Sequence, residues 1–125
     1  MIYIGIDPGL SGGIGAVDDN SNIILAEAMP TMPSPVAGKS IVDGGKLYQI
    51  VNASVGDYQC HCVIEKVGAM PGQGVTSMFS FGMAYGSAIA VIQALQYRHE
   101  FVSPQAWKKE MGLSKDKNAS LGMAM

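Results

Sequence analysis

Met1 to Val17, MIYIGIDPGLSGGIGAV, is the stretch that most restricts what this chain can fold into. Ile2, Ile4 and Ile6 alternate with Tyr3 and Gly5, and the run stops at Asp7: strand chemistry ending in a carboxylate. Pro8 has no N–H for a ladder and Gly9 accepts backbone angles closed to other residues, so the chain turns there. Ile14 to Val17 then reads as the returning strand of a hairpin. A charge at the end of so apolar a strand is costly unless a cation or several donors meet it. Two readings of Asp7 stay open at this point. It is a metal ligand, or it caps its own turn through an Asx bond to the following N–H groups.

A chain of 125 residues suffices for one domain with a core, and not for two. Charged residues make up 14% and hydrophobic ones 48%, which excludes a disordered chain and suits α/β packing. The net charge of −2 hides an asymmetry. Residues 1–65 hold seven acids against Lys39 and Lys46. Residues 66–125 hold Lys66, Arg98, Lys108, Lys109, Lys115 and Lys117 against Glu100, Glu110 and Asp116, six bases to three acids. The second half is thus net positive and permits a polyanionic partner. Cys60 and Cys62 are read as pointing to opposite faces of a strand, so no bridge between them is expected. No Cys or His spacing suggests zinc, and no signal-peptide pattern is present, so a reducing cytoplasm is the expected setting. Val67 to Tyr97 carries no charge, but Pro71, several glycines and polar residues interrupt it. A spanning helix needs about 20 mainly apolar residues, so a buried helix of a soluble core, with no membrane partner, is the better reading.

Ile23 to Ala28 reads as a third strand, and Met29 to Gly45, rich in Pro, Ser and Gly, as a long mobile or functional loop. Leu47, Ile50, Val51 and Val55 recur with the helical period, which predicts a helix over Lys46 to Val55 that Gly56-Asp57 ends. Cys60 to Val67 is almost entirely apolar, as a central strand would be, and carries Glu65 near its end. A glycine-rich loop, Gly68 to Gly74, precedes a helix capped by Thr76 or Ser77 and running to Tyr97. Along it Gly82, Gly86, Ala90 and Ala94 form a smooth face that lets another backbone approach, in the sheet or in a partner helix. His99 to Val102 is a fifth strand, and Ser103-Pro104 opens a short helix. The order β-β-β-α-β-α-β-α-α predicts one α/β domain: a mixed five-stranded sheet with helices on both faces. If the Cys60 strand lies parallel to and beside the first, Asp7 and Glu65 end side by side. Paired carboxylates of that kind suit Mg²⁺ or Mn²⁺, whose charge would relieve their repulsion.

Three segments taken together, IGIDPGLSGGIGAV, VIEKVGAMPGQGVTSMFSFGMAYG and VSPQAWKKEMGLSKDKNAS, resemble the RuvC-type Holliday junction resolvases of the RNase H-like superfamily, especially shorter phage-like members. The resemblance covers nearly all of residues 1–125 and implies an RNase H-like fold, a homodimer, and Mg²⁺-dependent hydrolysis of phosphodiesters in branched DNA. It makes Asp7 and Glu65 metal-binding catalytic acids. Lys108 and Lys117 match the family's DNA-facing basic positions, with Lys117 the phosphate-contacting catalytic residue; Lys109 and Lys115, which read equally as a solvated helix face, complete the candidate DNA-binding set. It also assigns the Thr76 to Tyr97 helix to the dimer. Two departures stand out. The family completes its site with acids on a C-terminal helix, whereas no acid follows Asp116 here, so the domain reads as lacking that helix and the chain as poorly active. Where some members carry a base-stacking aromatic, this sequence has Gly68-Ala69-Met70, with Phe79, Phe81 and Tyr85 as substitutes. Two other classes remain: a non-catalytic DNA-binding or structural dimer of the same fold, and a fragment of an actin-like ATPase, for which the chain is too short.

Overall fold

The computed structural model describes residues 1–66 and 74–103. Seven strands and two helices follow in the order β1 (Ile2–Asp7), β2 (Gly13–Val17), β3 (Ile23–Ala28), β4 (Thr31–Pro33), β5 (Ser40–Val42), α1 (Gly44–Val55), β6 (Cys60–Glu65), α2 (Val75–Leu95) and β7 (Arg98–Val102). Five of the strands form one sheet in the order β3-β2-β1-β6-β7. β1 pairs antiparallel with β2 and parallel with β6, and β7 continues the parallel half. This is the mixed five-stranded sheet that the apolar runs predict, with β1 at its centre.

Alternation decides which face is covered. Ile2, Ile4 and Ile6 on β1 pair with Cys60, Cys62 and Ile64 on β6, and all six are buried. Ile14, Ala16 and Leu25 extend that face across β2 and β3. Leu47, Val51 and Val55 of α1 and Ala84, Ala88, Val91 and Ile92 of α2 close over it as one cluster. Both described helices therefore lie on the same side of the sheet. Tyr3 and Gly5 point away from them and are exposed. The short helices expected after Ser103, which the prediction of a two-sided sandwich needs, lie outside the described residues.

Three local expectations are corrected. Cys60 and Cys62 share the covered face instead of pointing apart, because with His61 between them they obey the two-residue strand repeat. They remain free thiols. The segment 29–45 is no open loop: β4 and β5 form a hairpin in it, Thr31 opposite Val42 and Pro33 opposite Ser40. Strands of three residues with a proline in one of them leave no alternation to read. Finally, α2 starts at Val75 behind Gly74, not behind Thr76 or Ser77, with no side-chain cap; Gly74 O accepts the first helical bond, from Met78 N at 3.0 Å. α1 does carry a side-chain cap, Asp43 Oδ1 accepting from Lys46 N at 3.0 Å, which lets it begin at Gly44, ahead of the predicted Lys46.

At 21 residues α2 is, by length and composition, long and apolar enough to cross a membrane. Its Ala84, Ala88, Val91 and Ile92 stripe is instead packed into the core. The opposite stripe, Gly82, Gly86, Ala90 and Ala94, is exposed, and a Cβ built on Gly82 or Gly86 would meet nothing within 4 Å. The small-residue face thus looks outward and does not serve contact with the chain's own sheet.

Burial, aided by Cys60 beside it, pushes the Cys62 thiol up to about 12, and burial raises Cys60 as well. At pH 8 a thiol reagent such as Ellman's should therefore find neither cysteine in the folded protein and both in denaturant. Because the folded pKa of Cys62 is raised above its ordinary 9.0, the protonated thiol contributes stability that is fully present below pH 9. That contribution is lost as the pH rises toward 12, and urea midpoints measured across the interval should fall.

Candidate metal and phosphodiester site

The register of β1 on β6 positions the two candidate acids. Ile6 pairs with Ile64, and one step further Asp7 and Glu65 end neighbouring parallel strands. Both belong to the row that faces away from the helices, Asp7 following Tyr3 and Gly5, Glu65 following His61 and Val63. Parallel neighbours lie about 4.8 Å apart across the ladder, so the two carboxylates share one patch of the sheet edge. Asp7 is exposed and Glu65 half-buried. This corrects the expectation that Asp7 is a desolvated charge in need of rescue: the outward strand position leaves it in water, and cation binding rests on the proximity of the two acids alone.

The turn after Asp7 is built against that residue. Gly12 N donates to Gly9 O at 2.9 Å, and Met29 N donates to Gly12 O at 3.0 Å, tying the turn to the end of β3. A Cβ on Gly12 would overlap the carbonyl of Asp7 and stand 3.0 Å from Asp7 Cγ. Gly12 is thus required because its backbone lies flush on both the main chain and the carboxyl group of Asp7. The Asx bond is present but long, Gly9 N donating to Asp7 Oδ1 at 3.5 Å. Contacts that long contribute little, so turn capping alone does not account for an aspartate here.

Phe81 approaches the same turn: a Cβ on Gly9 would stand 3.9 Å from Phe81 Cε2 and 4.0 Å from Asp7 Oδ1. Of the three aromatics considered for a stacking role, Phe81 is therefore the one beside the acids. Phe79 is 70% exposed on the outer side of α2. Tyr85 packs edge-on against Phe101 with ring centroids 6.2 Å apart. Lys108, Lys109, Lys115 and Lys117, like Gly68-Ala69-Met70, lie outside the described residues. Among the described residues no group of three or more His, Cys, Asp or Glu side chains could hold a metal ion. Two carboxylates nonetheless fit Mg²⁺, which is commonly held by one or two carboxylates together with water and substrate phosphate oxygens.

A separate hollow lies elsewhere. A depression of about 830 Å³ lined by Tyr48, Asn52, Tyr58, Tyr97 and Arg98 opens at the other end of the sheet, where β6 and β7 begin and both helices end. Tyr97 Oη donates to Gly56 O at 2.9 Å there and ties the two helix ends together. Among its lining residues no pair of carboxylates meets.

No family model matches the sequence, and no curated protein matches it. Among solved structures the chain is similar to RuvC of Thermus thermophilus in complex with a Holliday junction substrate, with a TM-score of 0.69 and 18% identity over 98% of this chain and 75% of that one. It is also similar to a second Thermus thermophilus RuvC structure, with a TM-score of 0.66 and 17% identity over 98% of this chain and 77% of that one. The fold is therefore RuvC-like, of the RNase H-like type, as the three sequence segments imply.

Replacing Gly12 by alanine should destabilise the protein by about 3 kcal/mol or more, because backbone atoms, not flexible side chains, block the added methyl. A urea midpoint unchanged from wild type would show that the turn can open without cost.

Proposed function

We propose that the chain is a divalent-metal-dependent endonuclease acting on branched DNA, with four-way junctions as its substrate class. The observation that carries this is the placement of Asp7 and Glu65 at the ends of adjacent strands in a RuvC-like fold. Asp7 and Glu65 would hold Mg²⁺ or Mn²⁺, which when bound activates water and stabilises charge at the scissile phosphate. Asp7, exposed, offers its carboxylate without a desolvation cost. Glu65, half-buried, is held by the ladder to β7, where it pairs with Val102. Gly12 keeps the carboxyl group of Asp7 against the turn, so the site is organised before substrate arrives. Phe81, beside Gly9, is the aromatic in reach of a base next to the cut. Lys108, Lys109, Lys115 and Lys117 bind the DNA backbone in this reading, with Lys117 at the cleaved phosphate. A cytoplasmic setting agrees with the two free thiols.

The test is a labelled four-way junction incubated with the protein and Mg²⁺ or Mn²⁺, beside a linear duplex of the same arms. Junction cleavage should fall at least 100-fold in Asp7→Asn and Glu65→Gln, beyond the 10–100-fold typical of groups that only support a metal ligand. Tight junction binding without cleavage in any metal would favour the non-catalytic reading. That reading has one observation behind it: the described residues bring only two acids together.

The second part of the proposal is a homodimer through the outward face of α2. Val75, Phe79 and Met83 are exposed there at 85%, 70% and 43%, beside the smooth stripe of Gly82, Gly86 and Ala90. Apolar residues that large on an exposed helix face suit a partner of the same kind. Gly86→Leu puts a side chain into open space in the single chain, so it should leave thermal stability within about 1 kcal/mol while blocking close approach of a second helix. Sedimentation should show a wild-type dimer and a monomeric variant; a variant that still dimerises would place the interface elsewhere.

A further inference from the structure

The lysines of the described residues are not scattered over the molecule. Lys39 lies in the turn of the β4–β5 hairpin, Lys46 in the first turn of α1, and Lys66 directly after β6. Topology brings all three to one edge. β3 runs parallel to β1, since each is antiparallel to β2, and its last residue Ala28 sits opposite Gly13, the partner of Asp7. The hairpin therefore springs from the end of the sheet that carries the acids. Two hydrogen bonds fasten its root, Met29 N to Gly12 O at 3.0 Å and Asp43 N to Pro30 O at 2.9 Å. α1 then starts at the same edge because it must carry the chain back to the beginning of β6.

The turn that bears Lys39 is also ordered from within. Ser34 N donates to Lys39 O at 3.0 Å, Lys39 N to Val36 O at 3.1 Å, and Val36 N to Ser34 Oγ at 3.0 Å. Gly38 takes a φ of 78°, which lets the turn close without strain. Lys39, Lys46 and Lys66 are exposed, and among the described residues none of them is in an ion pair. The other described basic side chain, Arg98, starts β7 at the opposite edge. In a half of the chain where acids outnumber bases, the two lysines of residues 1–65 thus stand on the hairpin and at its foot, at the same end of the sheet as the paired acids.

We propose that the β4–β5 hairpin is an arm that grips the phosphate backbone of the DNA entering the Asp7–Glu65 edge, Lys39 on its turn and Lys46 at its root making the contacts. This rests on the DNA reading above and adds to it an element outside the C-terminal lysines. Charges spaced from the hairpin turn to the start of α1 suit a linear polyanion, in which phosphates follow one another along the strand, better than a single small anion. Lysine, a point charge on a flexible stem, positions a backbone without reading bases. The arm also offsets the repulsion that two carboxylates exert on an approaching phosphate chain.

The experiment measures binding of a labelled four-way junction and of its linear arm by the full chain, across a salt series, with thermal unfolding as the check on folding. Each phosphate contact contributes about 0.9 to the slope of log affinity against log salt. Lys39→Gln and Lys46→Gln should each lower the slope by about that amount, so that a rise from 50 to 200 mM salt weakens them about three- to fourfold less than wild type. Arg98→Gln, at the far edge, should keep the wild-type slope. A wild-type slope in Lys39→Gln, or an equal drop in Arg98→Gln, would overturn the arm. Wild-type binding without cleavage would overturn the nuclease reading and leave the arm standing, whereas absence of wild-type binding to either DNA would overturn both.

Discussion

The parallel pairing of β1 with β6 is the constraint on which the rest depends. Burial alternates strictly along both strands, Ile2, Ile4 and Ile6 against Cys60, Cys62 and Ile64, so the register cannot slip by one residue without turning the core row outward. The same alternation that hides these six side chains projects Asp7 and Glu65 to the other face. Core and site are thus opposite sides of one pattern: the hydrophobic term fixes which residues are inside, and the two carboxylates inherit their adjacency from it. No separate interaction between the acids is needed to bring them together, and mutual repulsion works against it until a cation or a donor intervenes.

Much of this was legible in the residues. The β1 repeat, the Pro8-Gly9 turn, the α1 periodicity and the apolar β6 run specify the central sheet and its order, because burial on one face imposes periods that sequence shows directly. What escaped had no such period. The β4–β5 hairpin consists of three-residue strands in a segment dense in proline, serine and glycine, and its position depends on hydrogen bonds to Gly12 and Pro30 that are distant in sequence. α2 begins behind Gly74 with no side-chain cap, so neither Thr76 nor Ser77 marks its start as their chemistry suggests. The role of Gly12 was invisible for a different reason: what it avoids is the carbonyl of Asp7, a contact that only the folded turn creates. Phe81 carries no local signal either, since an aromatic on an apolar helix reads as core until its neighbour is seen.

α2 shows how one helix can serve two surfaces. Its alanine-rich inner stripe permits close packing on α1 and the sheet, and its outer stripe combines large exposed apolar side chains with glycines. A helix so uniformly apolar has no strong preferred face of its own. Its orientation is set by which residues are small enough to sit against the core, and Ala84 and Ala88 are fully buried for that reason. The outer face of α2 carries Thr76, Ser77 and Gln93 but no charge, which separates it from α1, whose exposed side carries Lys46, Gln49 and Asn52.

The long sequence interval between the two central strands has a kinetic meaning. Ile2 and Cys60 are direct partners, yet more than fifty residues separate them. The meander of β1, β2 and β3 can close early through short turns, while the β1 flank meant for β6 stays bare until α1 and the following strand are available. Loop-closure entropy must be met before that pairing returns any burial. During synthesis the first three strands therefore expose both an apolar face and an unpaired strand edge, the combination most prone to pair with another chain. The order of elements that makes the site thus also fixes the interval in which a nascent chain is most vulnerable.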